Sequence, residues 1–349
     1  MKTRELEATQ KAQASEQPKQ MRTRRMQARH RVEPGAPVLM TVVVPVYRNE
    51  ETLHELVRRL EGMSGRFDDR FEAIFVIDGS PDESGAVLRG LLDDSTLRSR
   101  LVWHSRNFGS FAAIRTGLAL AGGQYIGVMA ADLQEPVQLL IDFYAALSSG
   151  EYDVALGERR TREDGGVGEF ASRSFWWIYR RWVQPEMPRG GVDVFACTRQ
   201  VRDSIVAMRE SNSSLVGLLV WLGYRRVDVP YDRVSRTAGA SGWTLRKKMR
   251  YLFDSMYSFT DLPINLLLAI GVTGVLLSLL GGVVVFSAWA FMGIRVAGYT
   301  PLMLTLLVIG SITLFGLGVV GSYVWRTYEN SKQRPGAVPM LSETFNIER

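Results

Sequence analysis

Cysteine is nearly absent: Cys197 is the only one in 349 residues. No disulfide can form within the chain and no thiolate-based zinc site can be built, which fits a reducing compartment. No Gly-x-Gly-x-x-Gly follows the first strand-like run, and no Gly-x-x-x-x-Gly-Lys-[Ser/Thr] occurs, so the phosphate cradles of dinucleotide-binding and P-loop proteins are missing. The N-terminal stretch lacks the apolar run of a signal peptide. Residues 1–37 hold nine Lys/Arg against four Glu, which accounts for five of the six net positive charges. With so few large apolar side chains this stretch cannot offset its ordering entropy, and it reads as a disordered basic tail. Its Arg22, Arg24, Arg25, Arg29 and Arg31 are either solvated or in contact with anionic lipid headgroups. Nothing after the tail resembles a base-reading module, so nucleic acid is not an expected partner.

Charge is also missing from two long C-terminal runs, residues 262–294 and 296–325, separated only by Arg295. Each exceeds the roughly 20 apolar residues that cross a hydrocarbon core of about 30 Å. The connector at 293–300 is short, which favours an antiparallel helical hairpin spanning residues 262–327. Arg246, Lys247, Lys248 and Arg250 precede the first run, and Arg326, Lys332 and Arg334 follow the second. Both chain ends are therefore expected on the cytoplasmic side of an inner membrane, with residues 328–349 as a C-terminal tail. Residues 243–259 mix Trp243, Met249, Leu252, Phe253, Met256 and Tyr257 with four of those cations. That pattern reads as an amphipathic helix in the headgroup zone, or as a helix packed on the domain. Gly274, Ser278 and Gly282, echoed by Gly318 and Ser322, make small-residue stripes that fit contacts within the hairpin or between protomers.

Between residues 38 and 235 the hydrophobic period alternates. Strands are expected at 38–45, 71–77, 101–104, 125–131 and 153–157, and helices at 50–62, 82–93, 110–121 and 137–148. Alternation of this kind implies right-handed crossovers and a mainly parallel α/β sheet, whose ligands bind at the carboxyl ends of the strands. Three polar signals fall there: Pro45-Val-Tyr47-Arg-Asn49-Glu50, Asp78-Gly79-Ser80 and Asp132-Leu-Gln134-Glu135-Pro136. Asp78 is suited to ribose hydroxyls or base N–H groups, although Asp-Gly-Ser is also a common turn. Asp132 and Gln134 offer oxygen ligands to a hard cation such as Mg²⁺ or Mn²⁺; a carboxylate at a helix N-terminus fits the same spacing.

The strings VVVPVYRNEE, VIDGSPDES, SRNFG, MAADLQEP, GERR, GGVDVFACTR, RVSRTAGASGW and GSYVWRTYENSKQRP, in this order, resemble family 2 glycosyltransferases of GT-A fold. The likeness is greatest to bacterial polyprenyl-phosphate glycosyltransferases and to dolichol-phosphate mannose synthase, and it covers about residues 38–336. It implies a Rossmann-like GT-A domain at 38–235, a phosphate-binding loop with juxtamembrane helix at 236–261, and the membrane hairpin. It also implies transfer of one sugar from a UDP- or GDP-sugar to polyprenyl phosphate at the bilayer. A homo-oligomer is compatible with it, a tetramer included.

By this resemblance Pro45, Tyr47, Asn49 and Asp78 line the nucleotide pocket, Asp132 and Gln134 hold the divalent cation, and Arg159 reaches a phosphate. Asp193 matches a base or acceptor-ordering position, and Arg236 and Ser241, with Arg233 nearby, match a diphosphate-binding loop. Three residues depart from the pattern: Ala130 stands for the leading aspartate of Asp-x-Asp, Ile77 for the first residue of Asp-Asp-Gly-Ser, and Gly242 for a lysine. Asp132 is then expected to share the cation with Gln134, the diphosphate and Glu135. A silent membrane scaffold and a processive polysaccharide synthase are the rival readings. The synthase motif Gln-x-x-Arg-Trp has as its nearest counterpart Ile178-Tyr-Arg-Arg181-Trp182, without the glutamine.

Overall fold

A computed structural model describes residues 37–160, 177, 179–188, 192–208, 214–234, 245–292 and 299–346. Eight strands form one sheet in the order β7-β5-β6-β4-β1-β2-β3-β8. They are β1 (Met40–Val46), β2 (Phe71–Ile77), β3 (Ser99–His104), β4 (Tyr125–Val128), β5 (Val154–Arg159), β6 (Phe195–Thr198), β7 (Arg226–Tyr231) and β8 (Pro339–Phe345). β1, β2, β3 and β4 pair in parallel, as does β5 with β7, while β6 and β8 run antiparallel to their neighbours. The mainly parallel α/β sheet expected from the alternation is therefore present.

Helices cover both faces, which is why β2 is apolar and buried at nearly every position rather than alternating. On one face Met40, Val42, Val44 and Val46 of β1 meet α1 (Leu53–Ser64), α2 (Ser84–Asp94) and α4 (Gln138–Ser148). α1 turns Leu53, Leu56, Val57, Leu60 and Met63 inward, the three-and-four spacing of a helix with one buried stripe. On the other face Val43, Ile74 and Val76 meet α3 (Ser110–Leu120), α5 (Arg199–Ala207) and α6 (Leu215–Trp221). Gly117 lets α3 settle onto β1: a Cβ there would lie 2.2 Å from Val43 Cγ1.

Three long helices follow: α7 (Leu245–Phe259), α8 (Leu262–Met292) and α9 (Tyr299–Ser331). In the C-terminal half of α7, Leu252, Met256 and Phe259 join the second core. Phe259 is pressed against α6 at Gly217, where an added Cβ would sit 2.5 Å from its Cε2. The C-terminal half of α7 is thus packed on the domain, with Phe253 left exposed. α9 packs back against both preceding helices: Asp254–Arg326 (2.6 Å) and Tyr257–Tyr323 (ring centroids 5.2 Å) tie it to α7, and Leu267 of α8 lies against its Gly316. Among the described residues one helical segment, Val308–Ser331, is long and apolar enough to cross a bilayer. Two qualify if Leu252–Phe259 and Leu262–Gly274, which meet at 78°, are one broken span.

The segment after α9 departs from the expected tail. β8 returns to the sheet and pairs with β3 from Ser99↔Phe345 to His104↔Pro339. Arg89 of α2 holds Glu343 of β8 and lies over Trp103 of β3, 5.1 Å from the ring centroid. The chain therefore leaves the domain for the helical pair and comes back, so the helices are attached at both ends. A strand paired more than 200 residues away leaves no local periodic signal, which is why it reads as tail.

Candidate active site

The sheet places the sequence signals along one edge. After β1 and β2 the connecting loops bond each other: the Arg48 N–H donates to Ser80 Oγ at 2.8 Å, and the Asn49 N–H to Ser84 Oγ at 3.1 Å. Ser80 and Ser84 in turn donate to Asp82, and the Glu83 N–H donates to Glu50 at 3.0 Å. Asn49 Oδ1 accepts from the Tyr47 N–H at 3.0 Å, so Asn49 shapes the loop while the Tyr47 ring remains exposed. Thr52 connects this end of the site to the next, donating to Ala131 O at 2.6 Å.

Asp78 follows β2 and is buried. Its Oδ1 accepts from His104 Nδ1 and from the Phe108 N–H, both at 2.9 Å, and its Oδ2 accepts from the Gly109 N–H at 2.7 Å. Burial pushes its pKa up, but those hydrogen bonds together outweigh burial and hold it below the ordinary carboxylate value. Gly79 has φ +58°, and a Cβ there would meet the Arg106 carbonyl carbon and the Asn107 nitrogen at 2.4 Å. Only glycine allows the loops after β2 and β3 to touch in this way.

The second cluster lies at the ends of β4, β5 and β7. Asp132 and Gln134 flank Leu133, whose φ of +59° is a left-handed conformation that costs a non-glycine residue about 1–2 kcal/mol. The turn is strapped to β7: the Val234 N–H donates to Gln134 O at 2.9 Å, and Arg233 donates to Gln134 Oε1. Arg159, at the end of β5, pairs with Asp193. Glu135 is buried, and its Oε2 has no hydrogen-bond partner among the described residues. Burial first, then the Asp132 charge, raise the Glu135 pKa, against the pull of Arg233 and Arg159. Burial and the Glu135 charge also raise that of Tyr231, while Arg159 opposes.

Of the sequence-expected residues, Asp132, Gln134, Arg159, Asp193 and Arg233 thus fall in one charged cluster, Tyr47, Asn49 and Asp78 in the loops beside it, and Pro45 near the end of β1, where it pairs with Val76 of β2. Arg236 and Ser241 lie outside the described residues. Asp78 differs in kind from the expectation: both of its oxygens are engaged by protein donors. Sequence reasoning missed His104, Thr116, Arg106 and Tyr231. Arg106 sits in the string SRNFG, and Tyr231 two residues before Arg233, so both stood beside recognised signals; His104 and Thr116 had none.

The family model Glycosyl transferase family 2 matches residues 41–203. An uncharacterized glycosyltransferase of Synechocystis sp. is 31% identical over 312 residues, covering 88% of this chain and 96% of its own. The bactoprenol glucosyl transferase of Shigella phage SfV is 28% identical over 297 residues, covering 85% and 96%. Among solved structures, the mannosyltransferase PcManGT from Pyrobaculum calidifontis, in complex with GDP-Man and Mn²⁺, aligns at a TM-score of 0.43 and 17% identity, covering 84% of this chain and 86% of its own. Near-complete coverage at that first level of identity fixes the relationship: the chain belongs to glycosyl transferase family 2.

Proposed function

We propose that this GT-A enzyme transfers a single sugar from a UDP- or GDP-sugar to the phosphate of a membrane polyprenol, undecaprenyl or decaprenyl phosphate. The product is a polyprenyl-phosphate sugar for building or modifying cell-envelope glycans. The observation that carries the reading is the pairing of a cationic, oxygen-rich cluster at the sheet edge with two helices that turn apolar surface outward. Leu268, Leu277, Leu280 and Val283 of α8 and Leu314 and Leu317 of α9 are each more than 60% exposed. Such a surface is at home in lipid, and the phage relative is named a bactoprenol glucosyl transferase. In this reading α8 and α9 are a transmembrane hairpin, the catalytic domain and both termini are cytoplasmic, and the inner membrane is the location. α7 and β8 fix the domain to the bilayer surface.

The reaction asks more for positioning than for a base. The acceptor phosphate monoester, with a second pKa near ~6, is largely a dianion at neutral pH and already nucleophilic. Asp193, paired with Arg159, is suited to order that acceptor rather than to take a proton. Two anions 4 Å apart repel by about 4 kcal/mol at an effective dielectric of ~20. Arg159 and Arg233 offset that repulsion, and their planar forks grip phosphate bidentately. Direct attack by the acceptor oxygen on the anomeric carbon, with the nucleoside diphosphate leaving opposite, inverts the configuration.

The donor set fits a hard cation such as Mg²⁺ or Mn²⁺: Asp132 and Gln134 across a strained turn, and Glu135 with a buried oxygen lacking a partner among the described residues. Among the described residues no three His, Cys, Asp or Glu side chains form a closed metal centre, so diphosphate oxygens would complete the shell. A bound cation would supply charge neutralisation for the departing diphosphate. The test is incubation of the purified protein with undecaprenyl phosphate and a panel of UDP- and GDP-sugars, with mass spectrometry of the lipid. One sugar per lipid, inverted at the anomeric carbon, is expected. A polymer points to a processive synthase, a retained configuration excludes direct displacement, and no product with any donor excludes the reading.

A further inference from the structure

Behind the β1–β3 end of the site a buried imidazole joins three elements. His104, the last residue of β3, has a side chain with no solvent exposure. Its Nδ1 lies 2.9 Å from Asp78 Oδ1, and its Nε2 lies 2.9 Å from Thr116 Oγ1 on α3. The Asp78 carboxylate can only accept, so Nδ1 carries the proton of that contact, while Nε2 and the Thr116 hydroxyl share a second hydrogen bond. Asp78 then receives the Phe108 and Gly109 amides, so the loop after β3 hangs on a carboxylate that is itself held from behind.

A second set of contacts runs outward from the same ring. The Phe108 ring stands edge-on to His104, centroids 5.6 Å apart at 90°. The Arg106 guanidinium lies over Phe108, 4.0 Å from the centroid. Arg106 and Asn107 are exposed at the mouth, across Gly79 and Ser80 from Tyr47 and Arg48. An exposed phenol ring and a guanidinium held flat by an aromatic neighbour are the groups that take the π-face of a nucleobase.

We propose that His104 and Thr116 are positioning residues for the nucleoside end of the donor. They touch no substrate; they hold Asp78, and through it the Phe108 and Gly109 amides and the Arg106 guanidinium, in the shape that receives the base. Asp78, with both oxygens engaged inside the protein, acts as the anchor of this loop. The proposal rests on the nucleotide-sugar reading, and one arm of its test does not.

The full-length protein in nanodiscs is compared as wild type, His104→Leu, His104→Gln and Thr116→Val. Three quantities are measured: amide hydrogen exchange across 105–109, calorimetric affinity for UDP and for GDP, and turnover at saturating donor. In His104→Leu, exchange across 105–109 should accelerate by about tenfold or more, because the loop's anchoring acceptor is left without its own donor. Nucleotide affinity and donor KM should worsen by a similar factor, while kcat stays within about twofold, the pattern of lost ground-state binding. His104→Gln, which can still donate to Asp78, should recover part of the affinity, and Thr116→Val should fall between. If His104→Leu fails to fold, the other two variants decide the same comparison. Unchanged exchange and affinity would overturn the proposal, as would a fall in kcat at constant KM. If neither UDP nor GDP binds the wild type, the nucleotide reading fails and the exchange arm alone decides whether His104 anchors the loop.

Discussion

The two ends of the site are built on opposite principles. At the β1–β3 end each described polar group that shapes the loops has a partner: Asn49 bonds Tyr47, Ser80 and Ser84 bond Asp82, and Asp78 collects His104, Phe108 and Gly109. At the β4–β7 end Glu135 Oε2 and Arg233 Nε are buried without hydrogen-bond partners among the described residues, and the turn at Leu133 is held in a strained conformation. Closed networks define a fixed shape and suit recognition of a rigid group; open, charged ones suit a ligand that brings the missing charges with it. A nucleoside diphosphate has both parts, a flat neutral base and a polyanionic tail.

The sharpest way to break this contrast is at the open end. Asp132→Ala should lower turnover in the lipid-labelling assay by about 10²–10³-fold, the usual loss when a group stabilising transition-state charge is removed. Its thermal midpoint should remain close to wild type, because Asp132 sits in a loop, outside the hydrophobic core. At the closed end Gly79→Ala should instead act on the fold. Its φ of +58° and the 2.4 Å approach to Arg106 leave no room for a Cβ, and a loss of about 1–3 kcal/mol in denaturant unfolding is expected.

Acid and base should separate the two ends more finely. The pKa of Asp78 is lowered from 3.8, so its contribution to stability is complete above that pH and disappears as pH falls through the lower folded value. For Glu135 the pKa is raised from 4.5, so its contribution is complete below that pH and disappears as pH rises through the higher folded value. Measured without divalent cations, Glu135→Gln should flatten the alkaline side of this profile, and Asp78→Asn the acid side. The smallest effect belongs to the β8 clamp. Arg89 and Glu343 are partly exposed, and Glu343→Gln should cost less than about 1 kcal/mol in the same unfolding experiment.

The first half of the fold is legible in the sequence, and the side chains of the open end more so than the network behind the closed one. The elements from β1 to β5 follow from local period: β2 occupies the expected 71–77, and α4 begins one residue after its expected start. β6, β7 and β8 were not foreseen. β6 is only four residues long, β7 has several partly exposed positions, and β8 owes its strand state to a distant partner. The same distinction governs the site. Asp132 and Gln134 share a turn whose spacing fits a cation site and a helix N-terminus equally, and only the resemblance separates the two; Arg159 and Arg233 also come from the resemblance. That Arg233 lands on Gln134, 99 positions away, is tertiary information. His104 and Thr116 read as an unremarkable strand end and a polar residue on an apolar helix, because the network that employs them exists only after folding.

The most direct measurement is a structure of the full-length protein in a lipid nanodisc with UDP or GDP and Mn²⁺. The account predicts one nucleotide lying along the strand edge, its base beside Tyr47 and Arg106 and its diphosphate between Asp132, Gln134 and Arg233. A nucleotide bound elsewhere, or a base and diphosphate that fail to reach from one cluster to the other, would contradict it.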